Sequence, residues 1–266
     1  PENKDKHLLS YQHGFHAGNM ADVHKHSLLA WMLAYLTRKD KPLSYIETHA
    51  GRALYDLSDD FALKTGEAAC GIAVAESWFH ADHPYREVLT KIRDDAGENA
   101  YPGSPMIAAN LLRNSDQIDL AELHPTEVLA LRDAMIRYPV GCHQIDGWQY
   151  AMSRCPPDPR RGMLLVDPSF EIKTDYETIP DFFAKIHRKW PVGILALWYP
   201  ILVDERHLPM ISALKSAIPD GTLHEVSFPP ARPGHGMVGS GLFVVNAPYG
   251  FDTEAAWLST KFRELK

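Results

Sequence analysis

The chain has 266 residues, 45% of them hydrophobic, and a formal net charge of −7. That length suits one large α/β domain or two small ones, and the acidic balance argues against a protein that coats nucleic acid through charge alone. Cys70, Cys142 and Cys155 are odd in number, far apart and without a CxxC pair, so neither a disulfide framework nor a thiolate zinc site is indicated.

The first residues, Pro1-Glu2-Asn3-Lys4-Asp5-Lys6-His7, are polar and lack the apolar core of a secretory signal. The longest apolar run, 28–36, is about half a membrane span. A cytoplasmic protein without membrane association is the expectation. The histidine-rich segment 10–26 leads into a helix expected from Met20 to about Thr37, with Asn19 as its cap and Asp22 in the favoured first turn. Lys25 and His26 fall in the second turn. They can hold the carboxylate of a cofactor or stand close to a substrate base, and satisfied surface and core histidines are the plainer alternative. A metal site drawn from His13, His16, Asp22, His24, His26 and His49 is a third reading, although their spacing matches no strong motif.

A first strand over 43–47 ends in Glu47-Thr48-His49-Ala50-Gly51-Arg52-Ala53. Gly51 lets backbone approach a ligand, but the GxGxxG spacing of a pyrophosphate cradle is missing. Such a turn suits a ligand without phosphate, for instance S-adenosylmethionine, or is simply a tight turn. Residues 55–117 are too long for one crossover and carry helical patterns over 71–83 and 85–95, so a helical insertion at about 56–116 is expected within a single domain over 1–266.

The second strand, 118–123, delivers Glu122, which can accept from ribose hydroxyls or serve the helix expected over 126–138. The third, 140–145, is followed by Asp146-Gly147, either an adenine-binding carboxylate with a nearby backbone N–H or a plain turn. The fourth, 163–166, runs into Asp167-Pro168-Ser169-Phe170. There a carboxylate, a carbonyl and a ring meet at a strand's C-terminal end, where open α/β sheets bind ligands. A planar base can stack on Phe170 while its amine donates to Asp167 and to the Pro168 carbonyl; a structural strand stop is the alternative. Flanking basic residues, Arg154, Arg160 and Arg161 before the strand and Lys185, Arg188 and Lys189 after it, are a local basic patch or a solvated face.

A helix over 176–189, a strand over 193–199 and a final pair of strands over 223–228 and 241–246 complete the pattern. The last two are separated by a Pro/Gly-rich loop too short for a helix, so they should be antiparallel neighbours. The fold class is therefore α/β: a Rossmann-like class I methyltransferase sheet of seven strands, mostly parallel, with a C-terminal antiparallel hairpin.

The segments 9–19, Lys25-His26, Thr48-His49-Ala50-Gly51, Tyr101-Pro102-Gly103-Ser104-Pro105, Glu122-Leu123-His124-Pro125, Asp146-Gly147 and Ala196-Leu197-Trp198-Tyr199-Pro200 resemble the RlmJ family over nearly the whole chain. These are 23S ribosomal RNA adenine-N6 methyltransferases, once described as proteins for catabolism of external DNA. The resemblance implies that S-adenosylmethionine meets His26, His49, Ser104, Glu122, Asp146 and Gly147, and that Asp167 is the catalytic acceptor. It also implies that Tyr11, His13 and Lys25 stand near the target adenosine. The family's Asp-Pro-Pro-Tyr is Asp167-Pro168-Ser169-Phe170 here, and its Gly-Ala-Gly turn is Gly51-Arg52-Ala53. The implied reaction is direct in-line methyl transfer without metal, on 23S ribosomal RNA whose adenosine is single-stranded or flipped, with no obligate protein partner evident. A metal-dependent nuclease or phosphoesterase and a non-catalytic nucleic-acid-binding relative are the competing readings.

Overall fold

A computed structural model describes residues 16–59, 64–232, 234 and 236–265. The apolar run after Arg161 becomes strand β6 (Gly162–Val166), buried along its whole length. Its side chains alternate between two cores: Met163 and Leu165 join one, Leu164 and Val166 the other. A strand covered on both faces has no polar side, which is why it reads as continuous hydrophobicity rather than as alternation.

Seven strands form the main sheet in the order β5-β4-β1-β6-β7-β9-β8. β1 (Ser44–Glu47) lies between β4 (Gln117–Ala121) and β6, parallel to both, and β5 (Gly141–His143) extends the β4 edge. β7 (Ile194–Leu202) continues in parallel beyond β6, while β8 (Thr222–Ser227) and β9 (Met237–Val245) are antiparallel, β9 inserting between β7 and β8. The chain thus winds outward from β1 through β4 to β5 and returns to its other side at β6. That reversal opens a crevice at the C-terminal ends of β1, β4 and β6.

Helix α1 (Met20–Thr37) begins as the sequence indicates: Asn19 Oδ1 accepts the Asp22 backbone N–H at 2.8 Å. It is buried on nearly every side, and its first two turns carry Asp22, His24, Lys25, His26 and Ser27 inside the protein. Buried polar groups are tolerated only when partnered, so this start of α1 concentrates hydrogen-bonding chemistry next to the crevice.

Between β1 and β4 the structure departs from an all-helical segment. Helices α2 (Glu67–Cys70), α3 (Ile72–Ala75) and α4 (Pro84–Ala96) are joined by a two-stranded antiparallel ribbon of β2 (Leu54–Asp56) and β3 (Ala100–Pro102). Each of those strands has three residues, too few to show a period. The helix expected over 71–83 is likewise split, α3 giving way to a 3₁₀ turn at Glu76–Trp78. The remaining helices are α5 (Ser104–Leu111), α6 (Pro125–Ala134), α7 (Gly147–Arg154), α8 (Asp175–Lys189), α9 (Leu208–Ala217) and α10 (Phe251–Arg263). Among the described residues no helix is long and apolar enough to cross a membrane.

Candidate active site

The crevice encloses a cleft of about 430 Å³, within the range of small-molecule sites. Its lining contains Lys25, His26, His49, Gly51, Ser104, Glu122, Asp146, Gly147, Asp167, Pro168 and Phe170. The strand ends and the start of α1 therefore bring together every site residue expected from the sequence that falls among the described residues. Tyr11 and His13 lie outside them.

Asp167 follows β6 directly, on the side of the sheet where α1 packs. Its Oδ2 accepts from the Lys25 ammonium at 2.6 Å. Lys25 Nζ also lies 3.1 Å from Asp22 Oδ1 and 5.4 Å from the centre of the Trp198 ring. Burial alone would lower the lysine's pKa, but the carboxylates of Asp167 and Asp22 raise it above the ordinary range. The ammonium therefore stays charged at any physiological pH. In the sequence Asp22 stands out as a first-turn acid and as one ligand type of the metal reading, not as a partner of Lys25. Its i,i+3 spacing to Lys25 is the signal that pairs them.

Glu122 is pinned by backbone: Gly51 N–H donates to its Oε2 at 2.8 Å and His124 N–H to its Oε1 at 2.7 Å. Burial raises its pKa, and these two hydrogen bonds oppose the shift. Gly51 has φ +61°, the left-handed conformation that favours glycine, and Ala53 adopts φ +67° at the cost of about 1 kcal/mol for its Cβ. Between them Arg52 forks onto Glu127 at 2.7 and 3.0 Å. Asp146 caps α7, its Oδ1 accepting from Gln149 N–H at 2.9 Å.

Gly147 is required by packing, because a Cβ there would lie 1.9 Å from the Thr48 carbonyl oxygen. Gly147→Ala is expected to destabilise the fold by about 1–3 kcal/mol, since the β1 turn and the α7 terminus would have to separate. A thermal melt checks this, and an unchanged midpoint would mean that the two backbones yield freely.

His49 sits edge-on to Trp148 with ring centres 5.0 Å apart, and its Nδ1 is 2.7 Å from the Thr48 hydroxyl. Burial pushes its pKa down to about 4, so the ring is neutral at pH 7. His26 Nδ1 meets the Tyr101 hydroxyl at 3.0 Å, and His16 pairs with Glu67 at 3.0 Å. The histidines of this segment thus go to separate partners. Among the described residues no group of three histidine, cysteine or acidic side chains converges as a metal cluster.

Phe170 lines the cleft, but the residue is only 5% exposed, its ring packed on Tyr176 at 4.8 Å and edge-on to Trp198 at 6.1 Å. It is part of an aromatic wall rather than a free platform. Its backbone has φ +56°, uncommon for a bulky residue and concentrated at functional loops in general. Glu47, behind the cleft-lining Ser104, is a residue that the sequence does not single out. Fully buried at the end of β1, it contacts the Tyr45 hydroxyl at 2.9 Å and the Ser104 hydroxyl through its other oxygen.

A family model described as "Ribosomal RNA large subunit methyltransferase D, RlmJ" matches residues 40–264. The chain belongs to this family. It is 36% identical to ribosomal RNA large subunit methyltransferase J of Escherichia coli, over 96% of this chain and 94% of that protein. It is 35% identical to the Haemophilus influenzae protein of the same name, over 93% and 90%. The crystal structure of a Legionella pneumophila protein superposes with a TM-score of 0.84 at 33% identity, covering 94% of both chains. Membership in the RlmJ family makes this an S-adenosylmethionine-dependent methyltransferase. It leaves the nuclease and non-catalytic readings without support. The cleft fits that cofactor by the chemistry of its donors. A backbone-fixed carboxylate in Glu122 suits a vicinal diol, Asp146 and Gly147 flank a helix N-terminus, and the acidic lining suits a cation.

Proposed function

We propose that this chain methylates N6 of an adenosine in 23S ribosomal RNA, presented in a single-stranded or flipped state. It would act in the cytoplasm, as one methyltransferase domain over 1–266 with an insertion at about 56–116. The reading is carried by the Lys25–Asp167 pair, which fixes a carboxylate at the end of the central strand beside the Pro168 carbonyl.

An adenine amine is a weak nucleophile because its lone pair is delocalised into the ring. Asp167 Oδ1 and the Pro168 carbonyl accept its two hydrogens and favour a pyramidal nitrogen, while Lys25 holds Asp167 through Oδ2 and fixes its orientation. S-adenosylmethionine, when bound, supplies an electrophilic methyl group on a sulfonium. Asp167 takes the proton released as the nitrogen becomes methylated, and its charge stabilises the developing positive nitrogen. Glu122 holds the ribose hydroxyls of the cofactor, and Asp146 with the backbone at Gly147 reads its adenine. His26, His49, Gly51 and Ser104 line the remainder of the cofactor site. The family resemblance assigns Tyr11 and His13 to the target base as well, and the aromatic wall of Phe170 and Trp198 bounds the cleft beside Asp167.

Incubation with radiolabelled S-adenosylmethionine tests this, using protein-free ribosomal RNA and DNA followed by mass analysis of nucleosides. The expected product is N6-methyladenosine from 23S RNA. Label on another nucleoside, or none on RNA, would overturn the reading.

A further inference from the structure

Trp198 lines the cleft on the β7 side, with the Lys25 ammonium 5.4 Å from its ring centre and Phe170 edge-on at 6.1 Å. Its indole N–H can only donate, and it donates to the Ser240 hydroxyl on β9 at 2.8 Å. Ser240 is wholly buried. The indole is thus gripped at its edge while Lys25 stands over its face.

A serine hydroxyl by itself rotates to suit its partners. Here the rotor is held, because His24 Nδ1 on α1 lies 2.8 Å from the same Oγ. His24 is wholly buried too, and burial together with the neighbouring His224 holds its pKa well below the ordinary value. A neutral imidazole has one donor nitrogen and one acceptor nitrogen, so the bond at Nδ1 fixes what Nε2 must do. His24 Nε2 meets His224 Nδ1 at 2.8 Å, and His224 Nε2 meets the Ser259 hydroxyl on α10 at 2.7 Å. Of these five residues only Trp198 lines the cleft. The chain therefore terminates, at its inner end, on the ring that faces Lys25. His24 and Lys25 are consecutive on α1, so the helix that supplies the ammonium also supplies the group that orients its aromatic neighbour.

We propose that Ser240, held by His24, is a positioning residue for methyl transfer: it fixes the Trp198 indole, which keeps the Lys25 ammonium, and so the Asp167 carboxylate 2.6 Å from it, aligned for the incoming amine. This rests on the reading of Asp167 as the acceptor in the transfer reaction. Ser240 itself lies outside the cleft and acts only through the indole. An indole released at its edge can turn about its side-chain bonds, and the ammonium over its face then shifts and draws Asp167 Oδ2 with it. Displacements of about 1 Å at reacting groups cost up to about 10²-fold in rate, so rate rather than cofactor affinity registers the loss.

Single-turnover transfer to ribosomal RNA by the full chain, with cofactor affinity measured by calorimetric titration, tests the proposal. Ser240→Ala is expected to lower the transfer rate constant about tenfold while S-adenosylmethionine affinity stays within about twofold. Trp198→Phe keeps a ring beside Lys25 but has no N–H. Adding Ser240→Ala to it is expected to cost no further rate, although the melting temperature falls in both backgrounds because His24 loses a partner. Equal losses of rate in both backgrounds would show that Ser240 acts on the fold at large and would overturn the proposal, as would an unchanged rate constant in Ser240→Ala. Should Ser240→Ala fail to fold by circular dichroism, Ser240→Cys, whose thiol is a weak acceptor, takes its place under the same criteria. Full transfer by Asp167→Asn would remove the reading beneath the proposal, an outcome distinct from an Asp167-dependent enzyme that is indifferent to Ser240.

Discussion

Asp167→Asn is expected to lower methyl transfer to ribosomal RNA by about 10³-fold while changing cofactor affinity only a few-fold. The substitution keeps the volume at the end of β6, and an amide oxygen can still accept from Lys25, so the fold and the buried ammonium retain a partner. What disappears is the second acceptor. With the amide oxygen turned to Lys25, the amide NH₂ faces the substrate amine, donor against donor, and no negative charge remains to stabilise the nitrogen as it becomes positive or to take its proton. Asp167→Ala should be as inactive and also less stable, because Lys25 then keeps only Asp22 as a carboxylate partner. Single-turnover transfer measured alongside cofactor titration separates the effects. Transfer within about tenfold of wild type in the Asn variant would mean that Asp167 serves only to hold Lys25.

Asp167 is also the residue whose place is most legible in the amino-acid sequence. The end of β6 shows because a run buried on both faces must stop where a polar residue appears, and this puts Asp167 at the mouth of the sheet; β4 and β5 are only partly buried, and Glu122 and Asp146 are legible there as acids that close short apolar runs just before a helix. The cap and length of α1 are legible through Asn19 and the apolar run after it. What escapes depends on contacts between distant segments. The Trp198 indole donates to the Ser240 hydroxyl at 2.8 Å, Ser240 meets His24 at 2.8 Å, His24 meets His224 at 2.8 Å and His224 meets Ser259 at 2.7 Å. No local pattern announces a buried chain that crosses α1, β7, β9, β8 and α10. The early start of β9 is hidden for a different reason. Gly239 and Gly241 weaken any strand signal, yet a Cβ on Gly241 would lie 2.1 Å from the Tyr199 ring, so the tyrosine on β7 takes the space that a side chain would fill.

Glu47 carries the second large effect, on stability rather than turnover. Burial without a countercharge in contact pushes its carboxyl pKa up to about 8 from an ordinary 4.5; the hydroxyls of Ser104 and Tyr45 oppose the shift, Asp167 adds to it and Lys25 reduces it. The group is thus neutral in the folded protein at pH 7 and ionised in the unfolded chain. Between pH 4.5 and about 8 the unfolded state binds fewer protons than the folded one, so stability falls as pH rises through this window. The loss is on the order of 5 kcal/mol, and it ends above the folded pKa, where both states are ionised. Glu47→Gln should remove the dependence, because an amide offers one donor and one acceptor to two hydroxyls that can rotate to match. The variant is expected to resemble wild type near pH 5 and to exceed it by several kcal/mol at about pH 8.5, as read by urea unfolding at the two pH values. Parallel pH profiles for the two proteins would place the ionised carboxylate in the folded core. Ser104 would then be held by a charge rather than by a neutral acid, and the cofactor cleft would carry one more negative charge just behind its wall.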